Sequence, residues 1–391
     1  MQGPLAGLLV ADFSRILAGP YASMLLGDLG ADVVKVESPG GDDTRTWRPP
    51  VRGAESTYYL GVNRNKRSVT LDLKDADDVV LARELAARAD IVLENFKPGG
   101  LAKFGLDYAT VAAKNPRVVY ASISGFGSGG GASLPGYDLI VQAMSGLMSL
   151  TGDAGGPPYR AGISVFDVMS GLHATIGILA ALEHRHRSGE GQHVEVNLLS
   201  AALSTMVNQT SAYVAGGVVP HRMGNAHPSL FPYEPLPTAD GDLIVTAGND
   251  GQFGRLCQVL GVPELADDPR FAHNQDRTAR REELRPLLVE RLTTRTRAEW
   301  FTDLLAAGVP CGPINTVAEG VAFAESLGLD PVVQVGCGEA AVPSVRNPVG
   351  YSATPARYDR PPPGLDEHGD EVRSWLRSPR TSTGPASEEH A

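Results

Sequence analysis

The 391-residue chain is short of several things, and each shortage removes a class of protein. Its three cysteines, Cys257, Cys311 and Cys337, are widely spaced, odd in number and without CxxC or histidine partners, which argues against a disulfide framework and against a zinc site; no metal is expected. Basic residues number 34 against 45 acidic ones, a net charge of −11, so no basic field is present to hold a phosphate backbone and no nucleic-acid partner is expected. No apolar run reaches the ~18 residues of a membrane span, and Met1-Gln2-Gly3-Pro4 leads straight into an apolar strand. Neither a membrane partner nor a signal peptide is therefore expected, and the expected compartment is the cytoplasm. Phosphate-cradling motifs are missing too: residues 14–20 (SRILAGP) contain no GxGxxG, and residues 125–131 (GFGSGGG) lack the Lys-Ser/Thr ending of a P-loop.

What is there suffices for a large core, at 42% hydrophobic residues, and for two domains. Apolar runs at 8–13 (LLVADF), 33–37 (VVKVE), 91–96 (IVLENF) and 118–123 (VVYASI) alternate with helical patterns, predicting an α/β class with right-handed crossovers and a parallel sheet. Glu37 stands where a ribose-binding acid of a dinucleotide site would, but without the glycine fingerprint a nicotinamide reading ranks low. Residues 63–74 (NRNKRSVTLDLK) are the densest basic stretch in an acidic chain. A charge run is ordinarily a solvated loop, yet Lys97 and Lys103 just past the third apolar run suggest cations gathered at strand ends for a phosphorylated ligand. The glycine run at 125–131 reads as a mobile loop or lid. Past Gly216-Gly217 a Pro/Gly-dense stretch marks a boundary, followed by a hairpin at Asp240-Gly241 and helices over 252–260, 281–292 and 297–307.

The most telling stretch is 162–171 (GISVFDVMSG), where Asp167 is the one carboxylate at the start of an apolar, small-residue helix. An N-cap is the ordinary role for such a residue; a poorly solvated nucleophile toward acyl compounds is the sharper one. Local sequence leaves both open.

Taken together, SRILAGPYASMLLGDLGADVVKVESPGGDDTR from Ser14, NRNKRSVTLDLK, ADIVLENFKPG, GYDLIVQAMSGLMSLTG, GNAHPSLFPY, TADGDLIVTAGNDGQF and AAGVPCGPIN resemble the class III CoA-transferases, in order and spacing, up to about Ala353. The resemblance implies a Rossmann-like parallel-sheet large domain with a smaller α+β domain, in ring-shaped subunits forming an interlocked homodimer. It implies a large CoA-binding domain over 1–200, a linker over 201–224, the small domain over 225–325, a return segment over 326–377 completing the large domain, and a disordered tail over 378–391. It also makes Asp167 the catalytic nucleophile, in a CoA transfer that needs no cofactor beyond the thioester substrates. Coenzyme A would contact Leu17, Ala18, Leu71, Asp72, Lys74, Asn95, Phe96, Lys97, Lys103 and Tyr137, and the substrate pocket would include Tyr137, Asn225, His227, Gly248, Asn249 and Asp250. Leu17 and His227-Pro228-Ser229-Leu230 depart from the formyl-CoA enzyme, which argues against formyl-CoA and oxalate as substrates, while GNAHPS from Gly224 and AGNDGQF from Ala247 look like the members that use succinyl-CoA and a dicarboxylate acceptor. The runner-up within the resemblance is an α-methylacyl-CoA racemase. Tyr137 would then replace that enzyme's histidine, and a phenol with a pKa near ~10 is a poor proton exchanger at neutral pH; Asp250 would stand at the position of a racemase acid. A CoA-binding regulator or an inactive paralogue would not need to keep Asp167.

Overall fold

The computed structural model describes residues 3–379. The described residues divide into two compact units, one built from residues 3–145, Ala161–Ser211 and residues 330–379, the other from Gly146–Arg160 and Ala212–Leu329. Residues 146–160, assigned from sequence to the large domain, thus belong with the second unit. The expected disordered tail falls almost wholly on 380–391, outside the described residues.

The first unit is organised by six parallel strands, β1 (Leu9–Asp12), β2 (Asp32–Glu37), β3 (Lys66–Thr70), β4 (Ile91–Glu94), β5 (Val119–Ser124) and β6 (Gln192–Asn197), in the order β3-β2-β1-β4-β5-β6. That order is the doubly wound one. The central strands are near-continuous apolar runs because helices cover both faces of a parallel sheet. On one face lie α2 (Ala76–Arg88) and α3 (Tyr108–Lys114), whose Leu81, Leu85 and Val111 share a core with Val34, Val69 and Val92. On the other, α1 (Ala18–Asp28) packs on the 24-residue α5 (Val165–Ser188), which follows α4 (Asp138–Met144). Helix α5 is long and apolar enough, by length and composition alone, to cross a membrane, which a scan for uninterrupted apolar residues misses. It buries Phe166, Ala174, Ile178 and Leu182 in the unit.

The basic stretch is not a solvated loop. Lys66–Thr70 is the edge strand β3, and its cations are buried and paired inward. Arg64 grips the fully buried Asp28 through Nε (2.8 Å) and Nη2 (2.6 Å) and donates from Nη1 to Ser344 Oγ and the Val345 carbonyl. Lys66 Nζ donates to Asp12 Oδ2, Asn63 Oδ1 and the Pro20 carbonyl, and Arg67 bridges Asp32 and Glu371. These residues fasten the return segment to the sheet: Asn65 donates to the Arg357 carbonyl, and Asn347 donates to Asp28. The segment ends in a helix, Gly369–Arg377, that packs on α2 and β3. Glu37 is likewise spoken for, accepting from Arg45 Nε and Nη2, Ser68 Oγ and the Asp42 N–H, which removes it as a ribose ligand.

The glycine run at 125–131 is a compact turn closed at its neck: a Cβ on Gly125 would overlap Gly136 Cα, so the two backbones touch where any other residue would force them apart. Residues 198–214 form two helices, α6 (Leu198–Thr205) and α7 (Val207–Val214), broken at Met206.

The second unit has an antiparallel sheet of β7 (Tyr233–Pro237), β8 (Asp242–Thr246) and β9 (Cys311–Pro313), in the order β9-β8-β7, with the hairpin at Asp240-Gly241. Its core joins Leu236, Leu243 and Val245 of the sheet to Phe253, Leu288 and Trp300 of α8 (Asp250–Leu260), α9 (Arg281–Leu292) and α10 (Arg297–Ala306).

Candidate active site

In a doubly wound sheet the crevice opens outside the carboxyl ends of the strands where the winding reverses, here between β1 and β4. A cleft occupies that place, walled by Arg15–Ala18 after β1, Asn95–Pro98 after β4, Ile123–Gly125 at the end of β5, Leu134–Tyr137, Leu198 and Asp167.

Two packing details deliver Asp167 to it. The first turn of α5 is capped not by its own N-cap, Ser164, nor by Asp167, but by buried Asp138 on α4, whose Oδ1 accepts from the N–H groups of Phe166 (2.8 Å) and Asp167 (3.2 Å). Gln142, one turn along α4, ties the approach down by donating to Asp138 and the Ile163 carbonyl and accepting from the Ala161 N–H. The second detail is Gly171: a Cβ there would stand 2.6 Å from the Ala18 carbonyl oxygen, so only glycine lets α5 approach α1 this closely. Residues four apart share a helix face, so the same crossing sets Asp167 beside the start of α1. No side chain caps that start at Leu17, which leaves first-turn N–H groups for an oxyanion.

The Asp167 carboxylate is half-buried, and among the described residues no hydrogen bond or ion pair ends on it. Burial, with the like charge of Asp138 added, pushes its pKa up to about 7. An ordinary cap would show the reverse, a carboxylate paired with N–H donors and lowered. Tyr58 stands near enough to feel both aspartates; burial, with these charges added and Ser164 opposing, raises its pKa. Asp138, Gln142 and Tyr58 have no role in the sequence reading, although Asp138 and Gln142 lie within GYDLIVQAMSGLMSLTG; nothing in that segment says that its acid caps a helix 29 residues on.

Of the expected CoA contacts, Leu17, Ala18, Asn95, Phe96, Lys97 and Tyr137 line the cleft with Asp167. Asn95 is occupied in bracing it, accepting from the Arg15 N–H (3.0 Å) and donating to the Arg15 carbonyl (2.7 Å). Leu71 is in the core, Asp72 accepts from the Lys74 N–H within a turn, and the exposed Lys74 and Lys103 stand outside the cleft wall. Among the described residues no group of three or more His, Cys, Asp or Glu is arranged to hold a metal.

The profile of CoA-transferase family III matches residues 5–369. The chain belongs to CoA-transferase family III. This family III CoA-transferase is 45% identical to the succinate–glutarate CoA-transferase of Agrobacterium fabrum, over 97% of this chain and 98% of that one. It is 40% identical to the acetyl-CoA:oxalate CoA-transferase of Acetobacter aceti, over 97% of each. A crystal structure of a CAIB/BAIF family protein from Brucella suis superposes with a TM-score of 0.86 at 44% identity, covering 96% of this chain and 100% of that one. It is thus an enzyme that transfers CoA.

The second unit of the transferase holds the other expected pocket residues. Asn225 lines a surface cleft with Arg222, Glu234 and Arg281. His227 Nδ1 accepts from the Ser229 N–H (3.0 Å), and burial together with nearby Arg281 lowers its pKa, so the imidazole is neutral. Asn249 caps α8, accepting from the Gln252 N–H (2.9 Å), and Gly248 precedes it. Asp250 is paired with buried Arg277 (2.8 Å) and with His273 (3.2 Å). Although burial opposes it, these partners hold Asp250 below the ordinary carboxylate range. An acid kept ionised is no proton donor near neutral pH, which counts against the racemase reading.

Proposed function

We propose that this enzyme moves CoA from succinyl-CoA or a similar donor to a dicarboxylate through covalent chemistry at Asp167. The observation that carries the reading is an unpaired carboxylate, raised to about 7, in a cleft at the switch point of the sheet. Such a group is a nucleophile. Its oxygen attacks the thioester carbonyl, the C–S bond breaks, and CoA thiolate leaves an acyl–aspartyl anhydride. The thiolate attacks the aspartyl carbonyl, releasing the donor acid and forming an aspartyl-CoA thioester. The acceptor carboxylate attacks that thioester and expels the thiolate, which then takes the new acyl group and frees Asp167. Each tetrahedral oxyanion can be met by the uncapped start of α1. Lys97 suits the CoA phosphates, with Lys74 and Lys103 meeting parts of CoA that reach beyond the cleft.

The dicarboxylate preference is supported by relatives named for succinate, glutarate and oxalate. A homodimer of interlocked, ring-shaped subunits is supported by exposed apolar residues along α5–α7, Ile176, Leu203 and Val207, which a monomer would leave in water. A cytoplasmic setting agrees with three unpaired cysteines. The test is a panel of acceptors offered to the purified enzyme with succinyl-CoA: glutarate, oxalate, longer dicarboxylates and carnitine. New acyl-CoA from at least one dicarboxylate is expected. Transfer to carnitine alone would overturn the substrate class, and deuterium uptake into a 2-methylacyl-CoA without transfer would favour the racemase.

A further inference from the structure

The residue just before the uncapped start of α1 is conformationally out of place. Ile16 has φ +70°, the left-handed region, which a β-branched side chain rarely enters. Backbone outliers of this kind persist only where the surroundings over-determine them, and they gather at functional sites.

The surroundings here are a set of buried charges. Asp42 accepts from the Ile16 N–H through both carboxylate oxygens (3.3 and 3.2 Å). Asp42 is itself fixed by Lys35 Nζ (2.8 Å), the Thr44 N–H (3.0 Å) and Thr44 Oγ1 (2.8 Å), while its own N–H donates to Glu37 (2.9 Å). Lys35, fully buried, also donates to the Ser14 carbonyl (3.0 Å), and Asp12 accepts from the Ser14 N–H (2.9 Å). With Asn95 holding both sides of Arg15, every residue from Ser14 to Ile16 is clamped. Leu17 and Ala18, the next two along the chain, are in the cleft wall with Asp167. The direction in which the chain enters the cleft is therefore set by the φ of Ile16, and that φ is held by a charge-assisted bond, the stronger kind.

We propose that Asp42 is a positioning residue for CoA transfer, holding Ile16 in its left-handed conformation so that the start of α1 faces the reacting carbonyl at Asp167. Asp42 touches no substrate atom; it acts through the Ile16 peptide. A charged acceptor, not a polar one, is what the position requires, because the bond must offset the cost of a β-branched residue in that region.

The inference rests on the proposed chemistry at Asp167, and its test separates the two. With succinyl-CoA and the best acceptor from the panel, Asp42→Asn is expected to lower kcat by about 10- to 100-fold, the range for a misplaced transition-state contact, while the KM for succinyl-CoA changes by less than about threefold. Adding Ile16→Gly is the diagnostic step. Glycine occupies φ +70° without strain, so the double variant is expected to recover at least about fivefold of the lost kcat. A merely structural role for Asp42 in the buried charge cluster predicts no such rescue. Should Asp42→Asn fail to fold, hydrogen exchange on the unmodified enzyme decides: the amides of residues 14–16 are expected to be protected well beyond those of an open loop. Wild-type kcat in Asp42→Asn, absence of rescue by glycine, or loop-like exchange at Ile16 would each overturn the proposal. Lack of any transfer by the unmodified enzyme would instead bring down the reading of Asp167 on which it rests.

Discussion

Replacing Asp167 by asparagine is expected to stabilise the protein while abolishing transfer. The sign follows from the raised pKa. In the unfolded chain this carboxyl ionises near ~3.9; in the folded chain it does so at about 7. Between those values the folded state holds a proton that the unfolded state has lost, so the group's contribution to stability is complete below the lower value and disappears as pH rises through the upper one. Three units at about 1.4 kcal/mol each set a ceiling of about 4 kcal/mol, and the partial exposure of Asp167 to the cleft reduces the expected effect to about 2 kcal/mol. Asparagine has no charge to bury and none to repel Asp138, while the Asp138 cap on the backbone of α5 remains. The assay is thermal or urea unfolding of parent and variant at equal concentration, at pH 5 and pH 8. The variant should be the more stable at pH 8, by several degrees in Tm, with a clearly smaller gap at pH 5, where only the unfolded carboxyl has lost its proton, and no gap below about pH 4. A gap of the same size at both pH values, or a variant less stable at pH 8, would refute the claim that Asp167 is a charge held against its own solvation. In the parent, transfer activity should rise as pH increases through about 7, as the nucleophilic carboxylate forms.

Gly171→Ala puts a methyl 2.6 Å from the Ala18 carbonyl oxygen and must push α5 off α1, so it should cost about 1–3 kcal/mol in unfolding and most of the activity; unchanged kinetics would mean the crossing does not place Asp167. Arg64→Ala leaves Asp28 buried without its countercharge and should destabilise by about 3–5 kcal/mol in urea, whereas a solvated basic loop would lose under about 1 kcal/mol. Lys97→Gln should raise the KM for acyl-CoA at low salt, with the difference from the parent shrinking as ionic strength rises; a salt-independent difference would deny it a phosphate contact.

Much of this architecture can be read in the chain before folding, and the exceptions share a cause. Strands β1, β2, β4 and β5 announce themselves as apolar runs, and α5 does so through its small-residue face. Strand β3 does not, since Lys66, Arg67 and Ser68 are as polar as any loop. What makes that stretch a strand is partners far away in sequence, Asp12, Asp32 and Glu371, and pattern rules for hydrophobic burial do not register buried ion pairs. The same blindness made cations that lock the return segment in place look like ligands for phosphate. At the site, Asp167 stands out because it is a lone acid in an apolar context. Its setting depends on Asp138 and Gln142, which become informative only when α4 is laid against α5. Likewise Ile16 reads as an ordinary apolar residue until its backbone angle is known.

The account stands or falls on a covalent bond at Asp167. The enzyme should be mixed with succinyl-CoA in the absence of acceptor, treated with borohydride or hydroxylamine, digested, and its peptides weighed. The peptide containing Asp167 should carry the mass of the reduced or hydroxamate side chain, and treated Asp167→Asn should not. Full transfer activity with no modification of that peptide would contradict the mechanism outright.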